Sequence, residues 1–128
     1  MKSSKSYSVS IILPILNEIN SLKKTLKVLD KINVNKEFLI IYSNKITEID
    51  IKKQIFKLKT KYKNIRFQPQ KRPFVGGAID LGIRLSKKKY IVIMASDLET
   101  NPYELENMIN ISKNNPNHII SADRWIGQ

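Results

Sequence analysis

The chain has 128 residues, 41% of them hydrophobic and 27% charged, which suits one domain with a hydrophobic core. It has no cysteine and one histidine, so disulfides, zinc-thiolate sites, a cysteine nucleophile and a His-rich metal site are excluded, and any metal must be bound by oxygen ligands. The net charge of +12 favours a polyanionic partner or simply reflects a lysine-rich composition. No apolar run approaches the roughly 20 residues of a membrane-spanning helix, and no secretion signal is expected.

The first half of the chain alternates strand and helix patterns. An apolar, β-branched segment over residues 7–14 predicts a strand that ends at a proline. Asn17 is the predicted N-cap of a helix over residues 18–29, whose apolar side chains recur at helical spacing. A continuous apolar run over residues 37–42 predicts the second strand, and a basic amphipathic helix is predicted over residues 49–62.

The second half repeats the alternation. A short strand is predicted over residues 65–67, followed by a glycine turn and a helix over residues 78–85. The run at 90–95 predicts a buried strand, Pro102 opens a further helix, and residues 118–121 form the last predicted strand. Strands that alternate with helices predict an α/β fold, a doubly wound and mostly parallel sheet with helices on both faces. Ligands bind such sheets beyond the carboxyl ends of the strands.

Two carboxylates follow the predicted strand at 90–95. Alternate residues of an extended segment share a face, so Asp97 and Glu99 point the same way. Such a pair binds Mg²⁺ or Mn²⁺ incompletely and leaves coordination positions for water and nucleotide phosphates. Spacing alone fits equally well the alternative that one of these carboxylates caps the helix near Pro102.

Paired glycines, Gly76 and Gly77, precede the helix predicted from Ala78. Backbone N–H groups at such a position approach an anion closely, although an ordinary glycine turn has the same pattern. The segment is neither a Walker A sequence nor the three-glycine dinucleotide fingerprint. Further along, Arg124 follows the last predicted strand and could pair with a phosphate, the alternative being a surface arginine beside a core tryptophan. His118 has no partner visible in the sequence.

Four motifs in order resemble the family 2 glycosyltransferases, especially the dolichol-phosphate mannose synthase-like branch. They are the opening strand with Pro14-Ile-Leu-Asn17-Glu18, the glycine-rich segment 74–83, the strand end and carboxylates of 90–102, and Ser121-Ala-Asp-Arg124-Trp125. The similarity extends over residues 7–125. The resemblance implies a GT-A fold, a nucleotide-diphospho-sugar transferase-like architecture, in one domain over residues 1–128 that is expected to end before the acceptor-binding part.

The resemblance also implies roles for single residues. Pro14, Asn17 and Glu18 would border the nucleotide base and ribose. Asp97 would bind the divalent metal at the diphosphate, Mg²⁺ or Mn²⁺, with Glu99 as a further metal ligand, and Arg124 would meet a phosphate. The donor-binding residues expected in all are Pro14, Asn17, Glu18, Tyr42, Ser43, Gly76, Gly77, Ser96, Asp97 and Arg124.

The function implied is sugar transfer from a UDP- or GDP-linked donor to a lipid-phosphate or glycan acceptor, with metal assistance. Three features depart from the family pattern. Ala95 replaces the first aspartate of the Asp-x-Asp element, Tyr42 and Ser43 stand where aspartates usually follow the second strand, and the chain stops at Gln128. No catalytic base can be assigned. The alternative is a catalytically incomplete module that binds a nucleotide sugar or a partner.

The charge distribution bears on the partners. Residues 1–64 carry a net charge of +9 and residues 65–90 of +6, whereas residues 91–128 carry −3. The basic part suits an anionic membrane surface, so we expect a cytoplasmic protein that lies peripherally on the membrane. Sparse aromatic residues and the absence of a nucleic-acid motif argue against nucleic acid. No protein partner can be inferred.

Overall fold

Strands and helices alternate along the part of the chain that the computed structural model describes, residues 8–15, 17, 19–43, 47–70, 74–94 and 105–114. The elements are β1 (Ser8–Ile15), α1 (Ile19–Asp30), β2 (Asn35–Tyr42), α2 (Ile49–Lys57) with a 3-10 turn (Leu58–Thr60), β3 (Ile65–Pro69), α3 (Phe74–Leu85), β4 (Tyr90–Ile93) and α4 (Leu105–Asn114). The predicted order of these elements is confirmed. The strand predicted over residues 118–121 lies outside the described residues.

The four described strands form one parallel sheet in the order β3-β2-β1-β4. The chain moves outward from β1 to β3 and then returns to place β4 on the other side of β1, where Tyr90 pairs with Val9. At the opposite end, Ile15 pairs with Tyr42, and Tyr42 pairs with Pro69, so the carboxyl ends of three strands are level. The predicted α/β fold with a parallel sheet is confirmed.

Helices cover both faces of this sheet. Leu22 and Leu26 of α1, Ile55 of α2 and Leu105 of α4 belong to one buried cluster with the β1 and β2 side chains on that face. The other face is covered by α3, which packs on β1 and β2 through Ala78. None of the described helices is both long and apolar enough to span a bilayer.

Two helix boundaries differ from the prediction. The predicted helix over residues 49–62 ends at Lys57, because the following 3-10 turn brings the ring of Tyr62 edge-on to Phe38 in the core. The predicted helix over residues 78–85 begins four residues earlier, at Phe74. The sequence pattern placed the start after Gly77 because glycine weakens a helix interior.

The burial of β4 also differs from the prediction. Tyr90 and Val92 pack against the larger core cluster, whereas Ile91 and Ile93 are 42% and 46% exposed in the described part of the molecule. The sheet register places these two isoleucines on the same face as Ile12. The described helix on that face, α3, packs on β1 and β2. Among the described residues, β4 is therefore partly buried on one face and exposed on the other.

A polar network closes the amino end of the sheet on the α3 face. The buried Glu37 carboxylate accepts hydrogen bonds from Ser10 Oγ (2.5 Å), the Lys87 N–H (2.8 Å) and Arg66 Nη2 (3.0 Å). Ser10 Oγ in turn accepts the Lys88 N–H at 3.1 Å. Burial alone raises the pKa of Glu37, but these hydrogen bonds and the Arg66 charge together outweigh it and hold the pKa below its ordinary value.

A close approach of helix to strand fixes the position of α3. A Cβ atom at Gly82 would lie 2.5 Å from Ile12 Cγ2 and 2.9 Å from Ile12 Cδ1, and Ile12 is fully buried. A side chain at position 82 would therefore push α3 away from β1. The start of the helix is different, since a Cβ at Gly76 would meet nothing within 4 Å.

Candidate functional site

The predicted donor-binding residues that the structure describes lie at one edge of the sheet. Pro14 lies near the end of β1, and Asn17 follows that strand. Tyr42 and Ser43 stand at the end of β2, and Gly76 and Gly77 lie in the first turn of the helix that follows β3. All four strands are parallel, so these positions share the carboxyl edge, where ligands of such sheets bind.

Asn17 joins the β1 end to the start of α2. Its side-chain oxygen accepts a hydrogen bond from the Glu48 N–H at 2.9 Å, and its carbonyl oxygen accepts the Ile19 N–H at 2.9 Å. Glu48 is the N-cap residue of α2, with an extended backbone. The Asn17 side chain thus holds the N-terminus of α2, whereas its predicted role as the N-cap of α1 remains a prediction. This fixes the spacing of the two loops that would border a nucleotide.

The loop after β2 is shaped by a buried threonine. Thr47 Oγ1 accepts the Ser43 N–H at 3.1 Å, and the Ser43 carbonyl accepts the Thr47 N–H at 3.0 Å. Thr47 is 3% exposed and Ser43 is 8% exposed. The reciprocal pair holds Ser43 and Thr47 together at the carboxyl end of β2.

Tyr42 is directed into the core. Its side chain is 6% exposed and meets the ring of Phe56 edge-on, with 6.0 Å between the ring centres. Burial raises the pKa of its phenol. Its carbonyl oxygen accepts the Gln70 N–H at 2.7 Å, which ties the end of β2 to the segment that leads into α3. The donor contact predicted for Tyr42 remains a prediction, and its ring contributes packing beneath the site.

Gly76 and Gly77 occupy the first turn of α3 and not a turn that precedes the helix. The first four N–H groups of a helix have no partner within it, and the helix dipole adds positive potential there. Gly76 is exposed, and the space around its Cα is open. The arrangement suits an anion such as a phosphate, which helix N–H groups and not a separate loop would contact. The predicted donor contact at Gly76 and Gly77 remains a prediction.

Several predicted residues lie outside the described part of the chain. They are Glu18, Ser96, Asp97, Glu99 and Arg124. Within the described residues, no group of three or more histidine or carboxylate side chains is positioned to hold a metal ion. The metal site predicted at Asp97 and Glu99 therefore remains a prediction. A cleft of about 240 Å³ beside β3, lined in part by Leu39, Arg66 and Leu85, contains none of the predicted site residues.

Three residues at this edge were missed by the sequence predictions. Thr47 closes the loop after β2, Glu48 receives the Asn17 side chain, and Gln70 bonds to Tyr42. Only Glu48 carried a signal, since it directly precedes an amphipathic helix pattern. The Asn17–Glu48 contact joins residues 31 positions apart, which no local pattern indicates.

Comparison with known proteins agrees with this architecture. A search of curated proteins found no match for the chain. The family model described as glycosyl transferase family 2 matches residues 10–128, which includes the described elements except the first two residues of β1, and includes the predicted carboxylates. Members of this family are glycosyltransferases that use nucleotide sugars, and they commonly use a divalent metal. The parallel sheet flanked by helices is consistent with the GT-A-like fold of such enzymes. With nearly its whole length matched, this chain belongs to glycosyl transferase family 2.

Proposed function

We propose that this chain binds a UDP- or GDP-linked sugar at the carboxyl edge of the sheet and transfers the sugar to a lipid-phosphate or glycan acceptor. The observation that carries the proposal is the family match over residues 10–128. The gathering of Pro14, Asn17, Ser43 and the start of α3 at one edge supports it. The acceptor class, the cytoplasmic location and peripheral membrane contact belong to the same proposal.

Each part of the site has a proposed task. Pro14, Asn17 and Glu18 border the base and ribose, with Asn17 held in position by the Glu48 N–H. The open first turn of α3, at Gly76, receives a phosphate through backbone N–H groups. Ser96 and Arg124 complete the donor contacts, and Asp97 with Glu99 would hold Mg²⁺ or Mn²⁺ at the diphosphate.

The transfer is a substitution at the anomeric carbon. An acceptor oxygen forms a bond to that carbon while the bond from the carbon to the diphosphate oxygen breaks, and the acceptor proton leaves with a base that is not assigned. A divalent metal supplies positive charge to the departing diphosphate when it is bound. Helix N–H groups near Gly76 and the guanidinium of Arg124 stabilise the same developing charge.

A second candidate is a module that binds a nucleotide sugar without transferring it. The burial of Tyr42 in the core favours this candidate, because this residue stands where the resemblance leads us to expect a carboxylate. The replacement of the first aspartate by Ala95 removes another contact. Binding with no transfer to any lipid-phosphate or glycan acceptor would support this second candidate.

The donor site is tested by titrating the chain with UDP- and GDP-sugars, in a calorimeter, with Mn²⁺, with Mg²⁺ and with a chelator. We expect metal-dependent binding and a loss of at least about tenfold in affinity on Asp97→Ala, since each 1.4 kcal/mol is tenfold. Asp80→Ala is the matched control. It removes a carboxylate whose described partner is the exposed Arg84, and such pairs contribute little.

A second variant tests the helix start. Gly76→Ala meets no atom within 4 Å, so it leaves the fold intact and fills the space in which a phosphate would lie. We expect weaker donor binding with an unchanged or slightly raised unfolding midpoint, because alanine favours a helix over glycine. Metal-independent donor binding that neither Asp97→Ala nor Gly76→Ala alters would contradict the proposed site.

A further inference from the structure

The outer surface of α1 and α2 is strongly basic. Both helices lie on the same face of the sheet, and Lys23 Nζ donates to Gln54 Oε1 at 3.1 Å across their junction. Asp30 and Asp50 are the acidic residues of these two helices. We name as the lysine face the exposed side chains of Lys23, Lys24, Lys27, Lys31, Lys53 and Lys57.

Within the described residues, four lysines of the lysine face have no carboxylate partner. Lys24, Lys27, Lys53 and Lys57 form no ion pair with any carboxylate in the described part of the chain. Four positive side chains on two packed helices therefore direct their charge into solvent. Such a surface attracts a polyanion.

An exposed apolar side chain lies beside these charges. Ile49, the first residue of α2, is 71% exposed and lies one helical turn from Lys53. An aliphatic side chain among lysines inserts into the headgroup and acyl boundary of a bilayer. It contributes nothing to a phosphate backbone, where arginines and stacking aromatic rings are favoured. Phe56 of the same helix is 45% exposed, but its ring is engaged edge-on with Tyr42 and Phe67.

We propose that the lysine face together with Ile49 docks the protein on an anionic lipid bilayer. Charge complementarity with anionic headgroups supplies most of the attraction, about fivefold in partitioning for each lysine near the surface. Ile49 adds a shallow apolar insertion. Ile49 lies at one end of α2 and Lys57 at the other, so α2 would lie along the bilayer surface while its apolar residues Ile51 and Ile55 stay packed in the core.

The docking surface borders the donor site. Ile49 directly follows Glu48, whose N–H bonds to the Asn17 side chain at the end of β1. A bilayer on the lysine face would therefore lie beside the carboxyl edge of the sheet. This step rests on the proposed function: a lipid-phosphate acceptor would reach the donor site without leaving the membrane.

The test is sedimentation of the full chain with vesicles of phosphatidylcholine alone and of phosphatidylcholine mixed with phosphatidylserine. We expect binding to the mixed vesicles only, weakened by salt as the Debye length falls to about 3 Å at 1 M. The variant Lys27→Gln/Lys53→Gln/Lys57→Gln should bind on the order of a hundredfold more weakly. Ile49→Ser, which removes no charge, should weaken binding about fivefold or more.

The matched control is Lys87→Gln/Lys88→Gln/Lys89→Gln, which removes the same charge from the loop between α3 and β4. Its described hydrogen bonds to the sheet are made by backbone N–H groups, which the substitutions leave in place. The variant also removes the Lys89 ammonium group, which lies 5.6 Å from the centre of the Tyr90 ring. Equal losses of vesicle binding in the two triple variants would overturn the proposal. Equal binding of the wild-type protein to both kinds of vesicle would also overturn it.

Two further measurements keep the outcomes separate. Competition by a single-stranded oligonucleotide that binds more tightly than the mixed vesicles would overturn the proposal in favour of nucleic acid. Donor titration of the same variants distinguishes this proposal from the function above. Wild-type protein that binds the donor but not the mixed vesicles would overturn the docking surface alone. Wild-type protein that binds the mixed vesicles but not the donor would overturn the donor site alone.

Discussion

At the scale of single residues, Glu37 combines burial in the described structure with a negative charge. It is 7% exposed, yet it carries a charge that three donors from separate parts of the chain stabilise. Ser10 reaches it from β1, Arg66 from β3 and the Lys87 N–H from the segment after α3. One carboxylate therefore connects the end of α3 to three strands, at the amino end of the sheet and away from its carboxyl edge.

This arrangement predicts a pH-dependent stability. The pKa of folded Glu37 lies below its ordinary value of 4.5, so its ionised form stabilises the fold above about pH 4.5. That contribution is lost as the pH falls through the lowered value. Glu37→Gln should lower the free energy of unfolding by about 1–3 kcal/mol at pH 7, since hydrogen bonds to a charged group are lost.

The measurement is urea unfolding of wild type and Glu37→Gln at pH 7 and at successively lower pH. The difference between the two proteins should shrink as wild-type Glu37 becomes protonated. Asp80→Asn, which changes an exposed carboxylate, is the matched control and should cost less than about 0.5 kcal/mol. A difference that stays constant down to the acid limit would refute the role given to the Glu37 charge.

At the scale of elements, α3 is the helix whose position matters for both ends of the molecule. Its first turn lies at the carboxyl edge of the sheet. Its last turn is connected to the Glu37 network, because the Leu85 carbonyl accepts a hydrogen bond from Arg66. Between them, Gly82 lies against Ile12 of β1. The absence of a side chain at position 82 thus sets how closely the helix lies on the sheet.

Gly82→Ala should destabilise the fold by about 1–3 kcal/mol, the usual cost of overpacking a core. Helix propensity alone would act in the opposite direction, by roughly 0.5–1 kcal/mol. Gly76→Ala in the same helix is the matched control, because its Cβ meets open space. Both variants are measured by urea unfolding.

A double-mutant cycle identifies the clash. In an Ile12→Ala background, Gly82→Ala should cost much less, because the three Ile12 atoms nearest to the new Cβ are gone. Additive effects of the two substitutions on the free energy of unfolding would show that the contact between β1 and α3 does not cause the destabilisation by Gly82→Ala.

The elements also show what the sequence could predict. Three of the described strands contain apolar runs and β3 is a short segment between helices, so the alternation pattern identifies them. A parallel sheet then places Pro14, Asn17 and Ser43 at one edge. The start of α3 was missed because two glycines reduce helix propensity, although the first turn tolerates them. The inward direction of Tyr42 and the Asn17–Glu48 bond depend on contacts between distant segments, which local patterns do not carry.

At the scale of the whole molecule, charge is the dominant property. The chain carries 23 basic and 11 acidic residues, and the lysine face concentrates part of the excess on two helices. Like charges on a compact surface repel one another and destabilise the folded state. The surplus that suits an anionic bilayer therefore lowers the stability of the protein in free solution.

Salt should stabilise this protein. Raising the ionic strength from about 0.01 M to about 0.15 M shortens the Debye length from about 30 Å to about 8 Å and screens the repulsion. We expect the thermal midpoint to rise, and to rise less in Lys27→Gln/Lys53→Gln/Lys57→Gln, which starts with less repulsion. A midpoint that falls with added sodium chloride would show that attractive pairs such as Glu37–Arg66 outweigh the repulsion.

The strand order has a consequence for synthesis on the ribosome. β1 obtains one neighbour from β2, but its other neighbour, β4, pairs Tyr90 with Val9 across some eighty residues of chain. At 5–20 residues per second, the nascent chain needs about 3 to 10 s after β2 is complete to produce β4. For that interval one edge of β1, whose residues 11–13 are all apolar, stays open to other chains. Nascent-chain pausing before residue 90 should therefore increase aggregation, whereas pausing after β4 has emerged should not.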